Sequence, residues 1–180
     1  MATRLLCGAL LLLLGANHAF AAENDELGNW FNDPYFQVRS AVSDCPQPLG
    51  PFLTRADANS EGHYRVERGT SCYLAGECKK PNAYLYDADI ATAVREAFND
   101  PALLSDSTIW ITVKRRFVWI EGCRAMNQSL GDLEARIRAI PDVQLVLVNV
   151  WSKEKPKPPY SVMPRPASIS EPTPKDSSAQ

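Results

Sequence analysis

The stretch TIWITVKRRFVWIE, Thr108 to Glu121, decides the fold class. Ile109, Ile111 and Val113 alternate with Trp110 and Thr112, and Val118 and Ile120 alternate with Phe117 and Trp119. A period of two marks a strand with distinct faces, because successive side chains of an extended chain point to opposite sides. Two such runs separated by Lys114, Arg115 and Arg116 predict a β-hairpin. A two-residue turn would put Arg115 and Arg116 at positive φ, at about 1 kcal/mol for a residue with a Cβ, so a wider loop is expected.

The pattern changes on either side of the hairpin. Asp87 is suited to cap a helix, and Ile90, Val94, Ala97 and Phe98 follow at helical spacing until Asn99, Asp100 and Pro101 end it. After the hairpin, Asn127 or Ser129 can cap a second helix with Leu130, Leu133, Ile137 and Ile140 on one face, ended by Pro141 and Asp142. Val143 to Trp151 is rich in β-branched and other apolar residues and reads as a third strand. The order helix, strand, strand, helix, strand defines an α+β domain over residues 82–151, with two helices on a three-stranded sheet.

Residues 22–81 read as an irregular extension. Turn formers recur at Asn32-Asp33-Pro34, Cys45-Pro46-Gln47-Pro48 and Leu49-Gly50-Pro51. One helix is predicted from Thr54 to Glu67, with Thr54 as its cap. Residues 152–180 hold seven of the fourteen prolines and few apolar groups, which predicts a disordered tail.

Residues 1–21 carry Arg4, the apolar run Leu5 to Gly15 and the small-x-small site Ala19-Phe20-Ala21, the pattern of a secretory signal cleaved near Ala21. The run is shorter than the roughly 20 residues needed to span a bilayer, and no later segment suits a stable transmembrane helix. Removing the signal takes Arg4 from the 19 Lys and Arg and leaves the 21 Asp and Glu, a net charge of −3. That balance excludes general nucleic-acid binding through a basic surface.

Cleavage also removes Cys7 and leaves Cys45, Cys72, Cys78 and Cys123. An even number in an exported chain reads as two disulfides, in any of three pairings. Gly76 lets the segment between Cys72 and Cys78 turn back, which favours that pair and leaves Cys45 with Cys123. A metal site built from these thiols with His63 is the sharper alternative, but no C-x-x-C spacing supports it. Neither a metal nor another cofactor is expected. No catalytic set emerges, because G-x-S-x-G is absent, His63 has no recognisable partner and the glycines form no phosphate loop. The expectation is a protein that is not an enzyme.

If Val118 and Ile120 face the helices, Trp110, Phe117 and Trp119 face the other way, with Lys114, Arg115 and Arg116 at their tip. Aromatic rings beside cations suit a phospholipid headgroup layer, which makes Lys114, Arg115, Arg116, Trp110 and Trp119 the candidate lipid-binding residues. A second reading makes these rings structural. Leu145, Leu147 and Trp151 would join them, and the N-terminal extension would cover the face, held there by a bond to Cys123.

From Asp87 to Val150 the chain resembles the BON family, the domain named for bacterial OsmY and nodulation proteins. The resemblance rests on Asp89-Ile90 to Val94, Asn99-Asp100-Pro101, Ile109-x-Ile111-x-Val113, Val118-x-Ile120-x-Gly122 and Val143-x-x-Val146. It implies a non-enzymatic periplasmic module of the cell envelope that binds phospholipid or another envelope surface. The alternative is a protein-interaction subunit of a periplasmic secretion or cell-wall assembly. Arg115-Arg116 replaces the family's usual Asn-Gly or Asp-Gly, and Asp142 stands where glycine is common.

Overall fold

A computed structural model describes residues 26–125, 130–152 and 154–164. The expected signal segment and the helix caps Asn127 and Ser129 lie outside them. The elements run β1 (Tyr35–Ser40), α1 (Arg55–Glu67), α2 (Thr70–Leu74), a 3₁₀ turn (Ala83–Tyr86), α3 (Asp87–Ala97), β2 (Ser107–Lys114), β3 (Phe117–Arg124), α4 (Leu133–Arg138) and β4 (Leu145–Ser152). The strands form one mixed sheet in the order β1-β2-β3-β4. β1 and β3 flank β2 antiparallel, and β4 runs parallel to β3 after the crossover through α4.

The helix, strand, strand, helix, strand order is present as α3, β2, β3, α4 and β4. The expected three-stranded sheet has a fourth strand. Tyr35 to Ser40, within the segment read as irregular, pairs with the free side of β2. The six residues YFQVRS carry a bulge near Val38, so their alternation is too short and broken to signal a strand locally.

One face of the sheet packs on α3 and α4. Ile109, Ile111, Val113, Val118 and Ile120 meet Ile90, Val94, Leu133 and Ile137 in a core without solvent contact. Each such side chain contributes about 1.5–3 kcal/mol on burial. Arg39 ties β1 to this layer by donating to the carbonyls of Phe98, Leu103 and Asp100 at the end of α3. Gly122 lies opposite Ile109 with φ +144°, where a Cβ would sit 2.0 Å from the Thr108 carbonyl oxygen. Only glycine fits so close an approach.

The hairpin turn differs from the expected wide loop. Lys114 pairs with Phe117, so only Arg115 and Arg116 lie between the strands, at φ 53° and 68°. Asp87 is what holds them. It does not cap α3, whose cap position is Tyr86. Its carboxylate, 2% exposed, accepts the backbone N–H groups of Arg115 at 2.7 Å and Arg116 at 2.8 Å. Charge-assisted bonds of this kind offset the backbone strain of the two arginines. Burial raises the Asp87 carboxyl to about 6, against the two N–H bonds, which lower it.

Helix α1 begins as expected, with Thr54 Oγ1 accepting the Asp57 N–H at 3.1 Å. Its buried Arg65 pairs with buried Asp33 and lies over the rings of Phe31 and Tyr84. This fixes the N-terminal segment at the hairpin end of the sheet, so the extension is part of the fold.

The outer face of the sheet also has a cover. Disulfides join Cys45 to Cys123 and Cys72 to Cys78, the pairing expected from Gly76. The first carries the loop after β1 onto β3. Residues 154–164, read as the start of a disordered tail, run back beside that loop. Pro48 and Val162 form an antiparallel bridge, Leu49 N–H donates to Ser161 O, and Met163 N–H donates to Gln47 O. Tyr160 is buried against the disulfide and donates to Pro46 O at 2.9 Å. We call these two segments the lid. Residues 165–180 of the expected tail lie outside the described residues.

Candidate functional site

The alternation of β2 and β3 puts Trp110, Phe117 and Trp119 on the outer face, opposite the residues packed on the helices. Both tryptophans are half-buried. Trp119 shares a cavity with Leu49, Gly50 and Ser161 of the lid, and the guanidinium of Arg68, just after α1, lies 4.4 Å from the Phe117 ring.

The basic residues at the tip are drawn into the fold. Lys114 lies 2.8 Å from both carboxylate oxygens of Glu61 on α1. Arg115 lies 3.7 Å from the same carboxylate. Arg116 donates from Nε to the Asp142 carbonyl at 2.7 Å and lies 3.5 Å from its carboxylate. The three side chains are 15%, 24% and 14% exposed. Each therefore has a carboxylate within the same molecule, which lowers the free positive charge at the tip.

Between the lid and the outer face lies a cavity of about 230 Å³. Thr112 and Lys114 come from β2, Trp119 and Glu121 from β3, and Leu49 and Ser161 from the lid. The register explains the grouping: Thr112 pairs with Trp119 and with Tyr35, and Glu121 follows Trp119 by two residues on the same face. Thr112 is 4% exposed, and its hydroxyl has no hydrogen-bond partner among the described residues. Leaving such a group unpaired in a buried position costs about 1–3 kcal/mol.

Glu121 adds an acid to this wall. Burial raises its carboxyl above the ordinary range, and a hydrogen bond from the Asn149 side chain opposes the shift. No ion pair among the described residues includes it. Tyr160 and Tyr35 lie close enough to feel its charge, and their phenols are pushed up, chiefly by burial.

The strand pattern predicted where Trp119 points. The cavity itself was not legible, because two of its walls come from residues 49 and 161, on either side of the hairpin and distant in the chain. The metal alternative fails on bonding: Cys45, Cys72, Cys78 and Cys123 are all disulfide-bonded, and His63 is paired with Glu67 at 3.2 Å. Among the described residues no group of three or more His, Cys, Asp or Glu could hold a metal ion, and no helix is long and apolar enough to cross a membrane.

The described residues thus form an α+β protein with a mixed four-stranded sheet, α3 and α4 on one face and a disulfide-held lid on the other. No family model matches the chain, and searches of curated proteins and of solved structures found no match.

Proposed function

We propose that the protein is a non-enzymatic binding module, exported to an oxidising compartment such as the periplasm, that takes up an extended segment of a partner protein along β4. The observation that carries this reading is the free edge of the sheet. β4 is eight residues long, LVLVNVWS, with no charge and no proline. It pairs with β3 on one side, and among the described residues no backbone hydrogen bond meets its other side from Leu145 to Trp151. Exposed edges are normally guarded by charge, proline or a bulge, because their free N–H and C=O groups recruit another strand. Strand addition is a common mode of peptide recognition on such an edge. The two disulfides support an oxidising compartment. The resemblance to BON domains agrees with an envelope role without catalysis.

A photo-crosslinking side chain at Leu147, compared with one at Gln37 on the β1 edge, tests this in cells that export the protein. Crosslinks from Leu147 to one defined peptide segment are expected, and they are lost when Trp151→Lys, at an unlabelled position of the same strand, places a charge on the edge. Equal crosslinking from Gln37, or none from Leu147, overturns the reading.

The second reading is contact with phospholipid headgroups at the hairpin tip. It rests on half-buried Trp119, which shares a cavity wall with Lys114, and on Arg115 in the turn, the most exposed of the three cations. Co-sedimentation with anionic and neutral liposomes separates the two. Binding that requires anionic lipid, weakens with salt and falls in a Lys114→Ala, Arg115→Ala, Arg116→Ala variant supports the lipid contact. A wild-type protein that stays in solution with every lipid excludes it.

A further inference from the structure

We infer that the cavity beneath the lid is a binding site for a primary ammonium group on a short alkyl stem, with Glu121, Thr112 and Ser161 as its acceptors and Trp119 as its apolar wall. This goes beyond the strand-edge reading and does not depend on it, because the cavity lies on the outer face and β4 contributes none of the lining residues named.

Three observations converge on that chemistry. Glu121 faces the cavity with an amide partner, Asn149, and without a cation among the described residues. A desolvated carboxylate of this kind gains most from a positive charge brought to it. Thr112 presents a hydroxyl that is buried, belongs to a residue lining the same cavity and has no partner among the described residues. Native proteins rarely leave such a group unsatisfied, and a bound ligand is one explanation for an exception. Ser161 supplies a second hydroxyl from the lid. An ammonium group has three N–H donors and no acceptor, which matches three oxygen acceptors. Trp119 adds a ring surface that attracts cations and packs against methylene groups.

Lys114, which also lines the cavity, does not satisfy Glu121. Its ammonium lies 2.8 Å from both oxygens of Glu61, and that carboxylate neutralises it. The volume of about 230 Å³ accommodates an aminoalkyl group but not a large planar ligand. The same ammonium chemistry is found in a lysine side chain of a polypeptide and in a free alkyl diamine.

The test is a titration of the intact, disulfide-bonded mature protein, followed by the Trp119 indole N–H signal in NMR. The probes are Nα-acetyl-lysine amide, 1,5-diaminopentane and the neutral Nα,Nε-diacetyl-lysine amide. Saturable shifts with one or both amines and none with the neutral probe are expected. A stronger response to the lysine derivative assigns the site to a protein side chain, and a stronger response to the diamine assigns it to a small molecule. Affinity is expected to fall about tenfold or more in Glu121→Gln and about threefold in Thr112→Val, the former reflecting the loss of a charge-assisted bond. No saturable shift in the wild type, equal binding of the neutral probe, or unchanged affinity in a folded Glu121→Gln protein overturns the assignment. The wild-type comparison of charged and neutral probes stands even if a variant fails to fold.

Discussion

The helix face and the outer face of the sheet are built from alternate residues of the same strands, yet they are closed by different physical means. On the helix face, Ile109, Ile111, Val113, Val118 and Ile120 meet apolar side chains from α3 and α4, and the layer is held by burial. On the outer face, Thr112, Lys114, Trp119 and Glu121 meet a lid held by one disulfide, the phenols of Tyr35 and Tyr160 and a few backbone bonds. The first layer excludes solvent. The second leaves a polar cavity. The difference teaches that alternation along a strand predicts two faces without predicting what closes them.

The largest test of this contrast removes the covalent part of the lid. Cys45 and Cys123 lie 78 residues apart, and chain entropy assigns their bond about 4.5 kcal/mol. Replacing both by serine is expected to approach that loss in urea unfolding. The Cys72–Cys78 bond, only 6 residues apart, is expected to contribute about 2 kcal/mol. Hydrogen exchange at moderate urea sharpens the point: without the Cys45–Cys123 bond, amides of the lid lose protection before those of α3 and β2.

The inner face is tested by Ile120→Ala. A fully buried isoleucine cut to alanine in a packed core is expected to cost about 3–4 kcal/mol. A cost below about 1 kcal/mol would mean that this layer is no tighter than the lid.

The hairpin end, where the two faces meet, has a pH signature of similar size. Asp87 titrates at about 6 in the folded protein and 3.8 in the reference state. Between these values the folded state holds more protons than the unfolded chain, so rising pH removes stability. The contribution is fully present below about pH 4 and falls by about 3 kcal/mol by the time pH has passed 6. The stability difference between wild type and Asp87→Asn is therefore expected to shift by that amount toward the variant across this window, and to be flat above it. No shift across the window would show that Asp87 is not held in a desolvated site.

The smallest expected effect is at Tyr160. Tyr160→Phe removes its hydrogen bond to Pro46 and is expected to cost about 1 kcal/mol, because the ring keeps its packing. If the tail segment contributes nothing, the variant will match the wild type in urea.

Much of the framework was legible because its signals are local. Period-two alternation identified β2 and β3, helical spacing identified α3, and Thr54 marked the start of α1. The four cysteines and Gly76 pointed to the pairing that is present. The candidate site was less legible. Lys114, Arg115 and Arg116 read as a free basic tip because Glu61 and Asp142, which pair with them, lie outside the hairpin sequence. Tyr160 sits in a run of prolines and lysines that carries no sign of burial.

By itself, then, the sequence determined the order of elements from α3 to β4 and the two faces of the hairpin, and it favoured one of three disulfide pairings, since each depends on neighbours in the chain or on a few residues of special chemistry. Only the tertiary structure decided the fourth strand, the tight turn of two arginines, the ion pairs at its tip and the cavity. Each of these requires partners from separate segments: Asp87 reaches the turn from 28 residues away, and Tyr160 reaches Pro46 across 114. Such contacts are set by how the layers pack, and local residue patterns do not encode them.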